Sequence, residues 1–151
     1  MAHGLGRLWA KLITSSIPKG VFLVPVPMHP TKRRERGFDQ AVVMAKAIAE
    51  ATGNPLSNIL ERTQDTPPQS GLHPRQRIEN VKGAFKVKSG NITGKKYILV
   101  DDIYTTGASL NECARTLKAA GAAEVCAITL AIALKKPSSE DPETGHNKGN
   151  L

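Results

Sequence analysis

The sequence predicts an α/β fold in which a single parallel sheet is covered by helices on both faces. Two apolar runs, at residues 21–27 and 96–100, alternate along the chain with segments of helical periodicity. Hydrophobic residues make up 40% of the chain and aromatic residues only 4%, so Val, Ile, Leu and Ala must supply most of the core. Sheets buried between helices have this composition. A length of 151 residues suits one domain.

The first third of the chain predicts a helix, a strand, a loop and a second helix. A short amphipathic helix is predicted from apolar residues at helical spacing: Leu5, Leu8, Trp9, Leu12 and Ile13. After the strand at residues 21–27, residues 28–37 form a basic loop. The second helix spans residues 39–52, with Asp39 as its N-cap and Gly53 as its stop. Its apolar stripe comprises Val42, Ala45, Ile48 and Ala49.

The middle of the chain is irregular and its last third is regular again. A short strand is predicted at residues 56–60, and residues 61–83, with three prolines, form a long loop or hairpin of the kind that covers functional sites. A strand follows at residues 84–87, and another at 96–100. A helix spans residues 109–120, with Gly121 closing it. Its inward-facing residues are Leu110, Cys113, Ala114 and Leu117.

The end of the chain predicts one more strand and a tail. Residues 125–133 form a last buried strand, and residues 135–151 carry almost no apolar side chains, which predicts a disordered tail. The domain therefore spans residues 1–134. Cys113 and Cys126 both lie in apolar patterns and are expected to be small core residues, not a disulfide or a metal site.

The charge of the chain favours anionic partners. Lys and Arg number 21 against 13 Asp and Glu, a net charge of +8. Nucleotides, pyrophosphate and nucleic acid all fit this surplus, and so does a surface that is merely solvated. The longest apolar stretch is too short to span a bilayer, and no export signal is evident, so we expect a cytoplasmic protein.

Residues 97–109 predict the chemistry. Four apolar residues form a strand, and Asp101 and Asp102 follow at its carboxyl end, where open α/β sheets bind ligands. A short polar loop then leads into a helix, whose free N-terminal amides and dipole favour a phosphate. The residues of this loop, all predicted to contact the ligand, are Ile103, Tyr104, Thr105, Thr106, Gly107, Ala108 and Ser109.

These residue types together suit a ribose phosphate. Gly107 lets the backbone approach a phosphate closely, and the Thr and Ser hydroxyls add donors. The two carboxylates repel phosphate, but they accept hydrogen bonds from ribose hydroxyls or hold Mg²⁺ through its water shell. The alternative is a strand, turn and helix without a ligand.

The same thirteen residues resemble the signature of type I phosphoribosyltransferases. That signature has four apolar residues, two acids, two mainly apolar residues, Thr-Thr-Gly, a small residue, then Thr or Ser, and every position fits. The resemblance implies a Rossmann-like sheet with a small hood and a site for phosphoribosyl pyrophosphate with Mg²⁺. In that site Asp101 and Asp102 contact the ribose hydroxyls, and the loop holds the 5-phosphate.

Further segments are similar to ComF-type proteins. Residues 24–27 and 34–40 match their first strand and pyrophosphate loop, and residues 66–85 match their hood and flexible loop. The resemblance covers about residues 20–133. It implies phosphoribosyl transfer linked to nucleotide metabolism or to DNA uptake in competence. Members usually carry an N-terminal cysteine cluster that binds zinc. This chain has only two cysteines, so a zinc site is not carried over.

Basic residues outside the signature are candidate contacts. Residues 28–37 carry His29, Lys32, Arg33, Arg34 and Arg36, and one or two of these cations are predicted to hold pyrophosphate. DNA contact and a solvated surface are the alternatives. His29 is a candidate general base or a structural loop residue. In the hood, the candidates are closing cations or surface charges: Arg75, Arg77 and Lys82.

Two functions remain open at this point. The first is an enzyme that transfers the phosphoribosyl group to a nitrogen nucleophile with Mg²⁺. The second is a binding module that senses the same ligand without catalysis, while its basic surface contacts DNA or a protein of the competence machinery. A bare DNA-binding domain is disfavoured, because the sequence carries no helix-turn-helix, zinc or stacking-platform pattern.

Overall fold

The computed structural model describes residues 14–28, 30–64, 74–88 and 90–133. The predicted N-terminal helix, His29, the centre of the hood and the C-terminal tail lie outside these ranges. The elements in chain order are β1 (Phe22–Pro25), α1 (Pro30–Arg36), α2 (Gln40–Thr52), β2 (Leu60–Arg62), α3 (Pro74–Val81), β3 (Phe85–Val87), β4 (Lys96–Tyr104), α4 (Ala108–Ala119) and β5 (Glu124–Ile132).

The main sheet is parallel, with strand order β1-β4-β5, which confirms the predicted fold class. In register, Leu23 of β1 lies opposite Ile98 of β4, and Val100 of β4 lies opposite Ile128 of β5. Leu56 adds a single parallel bridge to Leu23 on the outer side of β1. Of the strand predicted at residues 56–60, Leu56 forms only this bridge and Leu60 begins β2.

Alternate side chains of the strands enter two different cores. Leu23, Ile98 and Val100 face α2, and we call this side of the sheet the α2 face. Val24 and Leu99 face the opposite way and pack with α4, which defines the α4 face. Because successive residues of a strand point to opposite sides, the short apolar runs supply both cores at once. Each fully buried Leu or Val contributes roughly 1.5–3 kcal/mol.

The helix α2 begins and ends where the sequence predicts. Asp39 Oδ1 accepts a hydrogen bond from the backbone N–H of Val42 at 3.3 Å. Gly53 adopts a left-handed φ of 72° and donates its N–H to the carbonyl of Ala49 at 2.8 Å. The buried stripe consists of Ala41, Met44, Ala45, Ile48 and Thr52, so it is rotated slightly from the predicted one. Val42 and Ala49 flank this stripe and are only half-buried.

The hood, by which we mean residues 61–83, has more secondary structure than the sequence predicts. Residues 61–83 are not a continuous loop, because β2 extends through Arg62 and α3 forms after the undescribed residues 65–73. β2 and β3 form an antiparallel pair, with Leu60 opposite Val87. Helix α3 begins at a proline, which suits a first helical turn, and its Val81 is buried against α4. The many polar residues of α3 hid this helix from periodicity analysis.

The carboxylate of Glu112 connects the hood to α4 by hydrogen bonds. Glu112 is only 8% exposed, and its Oε1 accepts the backbone N–H of Gly83 at 2.7 Å. Arg115 donates to the same carboxylate through Nε at 2.9 Å and Nη2 at 2.6 Å. The Arg115 hydrogen bonds hold the pKa of Glu112 below its usual range, although its burial opposes them. The turn that closes α3 is thereby fixed to the middle of α4.

Two further predictions about local structure are wrong. Residues 28–37 are not a loop throughout, since α1 occupies Pro30–Arg36. Lys, Arg and Glu are good helix formers, and a proline suits the first turn. The strand β5 is not buried, and Cys126 is exposed, whereas Cys113 is buried as predicted. Apolar composition cannot reveal that β5 lies at the edge of the described sheet.

Replacing Glu112 by Ala removes the acceptor that Gly83 and Arg115 share. We expect the free energy of unfolding to fall by about 1–3 kcal/mol, because hydrogen bonds to a charged group are worth more than neutral ones. Urea unfolding measures this loss, and Glu112→Gln, which retains one oxygen acceptor, should lose less.

The control is Glu61→Ala, which breaks an exposed ion pair with Lys86 of 2.8 Å. It should change the free energy of unfolding by less than about 1 kcal/mol. Equal losses of unfolding free energy in Glu112→Ala and Glu61→Ala would show that the hydrogen bonds of Glu112 stabilise the protein no more than an exposed ion pair does.

Candidate ligand-binding site

A cavity of about 180 Å³ opens at the carboxyl end of the main sheet. Its floor comes from residues 101–109, all of which line it except Thr106. The end of β1 contributes Val26, Pro27 and Met28, and Asp39 and Ala41 enter from the start of α2. The hood contributes Arg62. The predicted signature therefore forms one wall of a site that three other parts of the chain complete.

The cavity exists because two neighbouring strands have different lengths. The β1–β4 pairing ends at Pro25 opposite Val100, followed by one bond from the Val26 N–H to the Val100 carbonyl at 2.9 Å. β4 continues to Tyr104, so Asp101 and Asp102 lie within the strand and not after it. Past Val100 the edge of β4 that faces β1 is left open. Both carboxylates reach this opening.

The electrostatics of Asp101 are set by burial and by the neighbouring carboxylates. Burial raises the pKa of its carboxyl to about 7, although the N–H of Asp102 donates to its Oδ1 at 2.9 Å and lowers it. The carboxylates of Asp102 and, more weakly, Asp39 raise it further. Three acids around one cavity favour a bound cation or a ligand rich in hydroxyl donors.

The donor set fits Mg²⁺ held mainly through water. Mg²⁺ prefers oxygen ligands and commonly uses one or two carboxylates together with waters and ligand phosphates. Asp101 and Asp102 supply such a pair. Within the described ranges no three His, Cys, Asp or Glu side chains converge on one point, so a cage made only of protein ligands is not present there.

The loop before α4 is tightly folded around an aromatic ring. Gly107 is the N-cap of α4 with φ 72°, a conformation that side chains other than glycine disfavour. A Cβ at this position would stand 2.7 Å from Cε2 and 2.8 Å from Oη of Tyr104. The backbone angle and the Tyr104 ring therefore both require glycine at position 107. The sequence suggested another reason, the close approach of a phosphate to the backbone.

Thr106 caps the start of α4 with its side chain, whereas Thr105 and Gly107 line the cavity. Its Oγ1 accepts the N–H of Ala108 at 3.3 Å, and it lies off the cavity wall. The N–H of Asn111 donates to the carbonyl of Gly107 at 2.8 Å, which closes the first turn of α4. The predicted contacts of Thr105, Thr106 and Ser109 with a phosphate stay predictions.

Two charged residues of the cavity wall, Arg62 and Asp39, were not predicted as site residues. Arg62 reaches the cavity from β2, with its guanidinium carbon 5.4 Å from the centre of the Phe85 ring and its Nε 3.4 Å from the carbonyl of Gln64. The sequence places Asp39 at a helix cap and within the segment similar to a pyrophosphate loop, but not among the acids of the site. The position of the hood over the sheet is a tertiary feature, so no local pattern reveals the role of Arg62.

The basic residues of α1 are placed less closely. Arg33 and Arg34 are exposed and lie outside the cavity wall. The backbone of Lys32 and Arg36 is part of α1, while their side chains and all of His29 lie outside what the structure describes. Pyrophosphate binding by these residues therefore stays a prediction.

Among the described residues, no helix is long and apolar enough to cross a bilayer.

Fold and site geometry together define a domain of the type I phosphoribosyltransferase class. Residues 39–149 match the family model described as phosphoribosyl transferase domain. Among solved structures, glutamine phosphoribosylpyrophosphate amidotransferase from B. subtilis superimposes with a TM-score of 0.56 and 24% identity, over 85% of this chain and 26% of that chain. At this identity the likeness concerns the fold alone.

Curated relatives narrow the family. Competence protein F of Haemophilus influenzae is 33% identical over 106 residues, which are 68% of this chain and 46% of that protein. Competence protein ComFC of Streptococcus pneumoniae is 34% identical over 128 residues, which are 83% of this chain and 56% of that protein. The chain thus spans about half the length of these relatives. It belongs to the ComF family of the phosphoribosyltransferase superfamily.

The raised pKa of Asp101 predicts a pH-dependent stability of the ligand-free protein. Its pKa is about 7 in the folded chain against 3.8 in a model compound, so the folded state holds a proton that the unfolded state releases between these values. Stability should therefore fall as pH rises from about 4 to about 7. Asp101→Asn should reduce this fall and stabilise the protein at pH 8 by on the order of 2 kcal/mol.

Thermal and urea unfolding between about pH 4 and pH 8 measure this effect. Glu50→Gln, which alters an exposed carboxylate of α2, is the matched control and should keep the slope of the wild type. A wild-type slope in Asp101→Asn would contradict the proposed burial of a charged Asp101.

Proposed function

We propose that this domain binds phosphoribosyl pyrophosphate, with Mg²⁺, in the cavity at the end of β4. The observation that carries the proposal is the meeting of two elements in one cavity. One is the carboxylate pair Asp101 and Asp102, and the other is the Gly107 loop at the start of α4. A sugar hydroxyl pair needs acceptors and a phosphate needs amide and hydroxyl donors, so each end of a ribose 5-phosphate has a suitable partner.

In this proposal the protein separates the two charged parts of the ligand. The loop of residues 103–109 takes the 5-phosphate at the helix N-terminus. Asp101 and Asp102 accept the ribose hydroxyls and hold Mg²⁺ through its waters. Mg²⁺, when bound, supplies neutralising charge for the pyrophosphate. Arg62, from the hood, adds a protein cation on the opposite side of the same cavity.

The reaction that suits this arrangement is phosphoribosyl transfer to a nitrogen nucleophile, with pyrophosphate as the leaving group. The carbon–oxygen bond to pyrophosphate breaks as the carbon–nitrogen bond forms. Fixed geometry and charge stabilisation provide the rate enhancement, and a covalent protein nucleophile is not needed. Cys113 is unsuited to be one, because burial raises the pKa of its thiol.

The names of the relatives support a cellular role in competence and DNA use. Relatives in Streptococcus pneumoniae and Bacillus subtilis are competence proteins, and one in Escherichia coli is a DNA utilization protein. A net charge of +8 suits an anionic partner. The second candidate function is therefore a ligand sensor that contacts DNA without transfer. Exposed Arg33 and Arg34 on α1, and Phe38, which is 52% exposed and follows α1 in the chain, favour a nucleic-acid surface at this helix.

Asp102→Asn should weaken the binding of phosphoribosyl pyrophosphate about tenfold or more. Tenfold corresponds to about 1.4 kcal/mol, which is within the worth of one hydrogen bond to a charged group. Calorimetry with and without Mg²⁺ measures the affinity, and we expect Mg²⁺ to strengthen binding in the wild type more than in the variant. Glu50→Gln serves as control and should bind like the wild type.

Equal affinities in the wild type and Asp102→Asn would remove the site assignment. Release of pyrophosphate in the presence of ammonia or nucleobases then separates the two candidate functions. Release that depends on an acceptor supports the transferase. Tight binding with no release for any acceptor supports the sensor.

Gly107→Ala should also weaken ligand binding. The left-handed backbone disfavours a Cβ by roughly 1–2 kcal/mol, and the new carbon would press on the ring of Tyr104. Tyr104→Ala removes the ring contact but not the backbone strain, so adding Gly107→Ala to Tyr104→Ala should cost less affinity than Gly107→Ala costs the wild type. The same calorimetry measures each variant. Wild-type binding by Gly107→Ala would contradict the tight fit of this loop.

A further inference from the structure

The cavity at the end of β4 has two sides of opposite charge. Asp39, at the start of α2, lines it from the α2 face, and Asp102 follows Val100 by two residues in β4 and so points to the same face. Arg62 lines it from the other direction, because it lies over the ring of Phe85 in the core of the α4 face. We call these the Asp39 side and the Arg62 side of the cavity.

Ile103 gives the Arg62 side an apolar surface. It follows Leu99 by four residues in β4, so the two side chains point to the same face of the sheet. Leu99 is fully buried, whereas Ile103 is 43% exposed and lines the cavity. A large apolar side chain that is open to a cavity suits contact with an apolar part of a ligand. The Arg62 side therefore combines an apolar surface with a positive charge.

Contacts within the protein hold Arg62 at the cavity wall. Its guanidinium carbon lies 5.4 Å from the centre of the buried Phe85 ring, and its Nε–H donates to the carbonyl of Gln64 at 3.4 Å. Of the described residues that line the cavity, Arg62 alone is a Lys or Arg. A planar guanidinium in a fixed position favours bidentate binding of a carboxylate. Arg62 is therefore suited to recognise an anionic group on its own side.

The geometry of the transfer assigns a different reactant to each side. Mg²⁺ and the pyrophosphate that it neutralises belong with the acids, and Asp39 and Asp102 place this charge on the Asp39 side. Pyrophosphate leaves with both electrons of the broken carbon–oxygen bond. The acceptor nitrogen supplies the electron pair of the new bond from the opposite face of the ribose and loses its proton to solvent water. The acceptor then enters from the Arg62 side.

We propose that the acceptor is an aromatic or heteroaromatic compound that carries a carboxylate. Arg62 binds the carboxylate, and Ile103 contacts the ring. This inference rests on the proposed function and adds to it the chemical class of the acceptor. A neutral compound of the same shape leaves the guanidinium without its partner, and a site built around such a contact rejects the analogue that lacks it. Arg62 is thus a residue that determines specificity.

Two pairs of compounds, each differing by one carboxylate, test this assignment on the full chain. They are 2-aminobenzoate with aniline, and uracil-6-carboxylate with uracil. Ribose 5-phosphate and Mg²⁺ fill the rest of the site without allowing transfer, so calorimetry then measures binding of the acceptor alone. In at least one pair the carboxylate should bind about tenfold more tightly than its neutral partner, because hydrogen bonds to charged groups are the stronger ones. Pyrophosphate release from phosphoribosyl pyrophosphate should follow the same preference.

Arg62→Gln should abolish the preference for the carboxylate while the affinity for phosphoribosyl pyrophosphate stays close to that of the wild type. Arg62→Lys keeps the charge without the planar fork and should retain part of the preference. The matched control is Lys88→Gln, which removes the same charge from an exposed residue outside the cavity wall and should keep the full preference. Circular dichroism confirms that the variants are folded.

Ile103→Ala separates the apolar contact from the charge. It should weaken both members of a pair about fivefold, because each loses the same apolar contact. The ratio between the carboxylate and its neutral partner should stay as in the wild type. A variant that changes this ratio and leaves the neutral compound unaffected would contradict the role of Ile103.

Three results would overturn the assignment of Arg62. One is equal binding of both members of each pair by the wild type. Another is an unchanged preference in Arg62→Gln. The third is a loss of affinity for phosphoribosyl pyrophosphate in Arg62→Gln with the preference intact, which would assign Arg62 to the leaving group. A wild type that does not bind phosphoribosyl pyrophosphate alone contradicts the proposed function itself, and the acceptor role is then lost with it. Because acceptor binding is measured without transfer, the same outcomes decide the matter for a sensor that catalyses no reaction.

Discussion

The site depends on a difference in length between β1 and β4. Backbone pairing of β1 with β4 ends at Val26, while β4 continues beside β5 as far as Tyr104. A sheet in which both strands stopped together would pair the backbone at Asp101 and leave no opening beside it. Because they do not, two carboxylates lie half-buried in a cavity that a β1 strand would otherwise fill. The cost of this burial is visible in the raised pKa of Asp101.

The second constraint is the connection between the hood and α4. The carboxylate of Glu112 holds the turn after α3 to α4, and Val81 packs into the same core from the hood side. The loop of residues 103–109 leads into the N-terminus of the same helix. The wall formed by the hood and the wall formed by this loop are therefore both attached to α4. Arg62 and the Gly107 loop therefore keep a fixed relation through protein contacts made on the far side of the site.

The sequence predicts what short-range patterns encode, and it misses what depends on neighbours distant in the chain. The parallel sheet, both caps of α2 and the inward residues of α4 follow from alternation, periodicity and glycine. The acids and the phosphate loop follow from the motif at residues 97–109. Helix α3 was missed because Val81 is the one buried residue among its described side chains, so it has no apolar stripe. Arg62 was missed because only the folded hood brings it to the cavity.

The error at β5 has a different origin. Its continuous run of apolar residues is typical of a strand that is covered on both faces. Burial, however, depends on a second surface, and the described residues cover β5 only in part: Val125 packs against the core of the α4 face and Ile128 against the core of the α2 face. Cys126 is exposed for this reason, although its composition and position resemble those of buried Cys113.

The contact between Tyr104 and Gly107 restricts how this loop can change over generations. The ring fills the volume in which any side chain at position 107 would begin. A residue with a Cβ at 107 is tolerated better after the ring at 104 has become smaller, so the order in which substitutions occur matters. Family members that differ at these two positions should therefore differ at both together, and the pair should show covariation even though the two residues lie three apart in one turn.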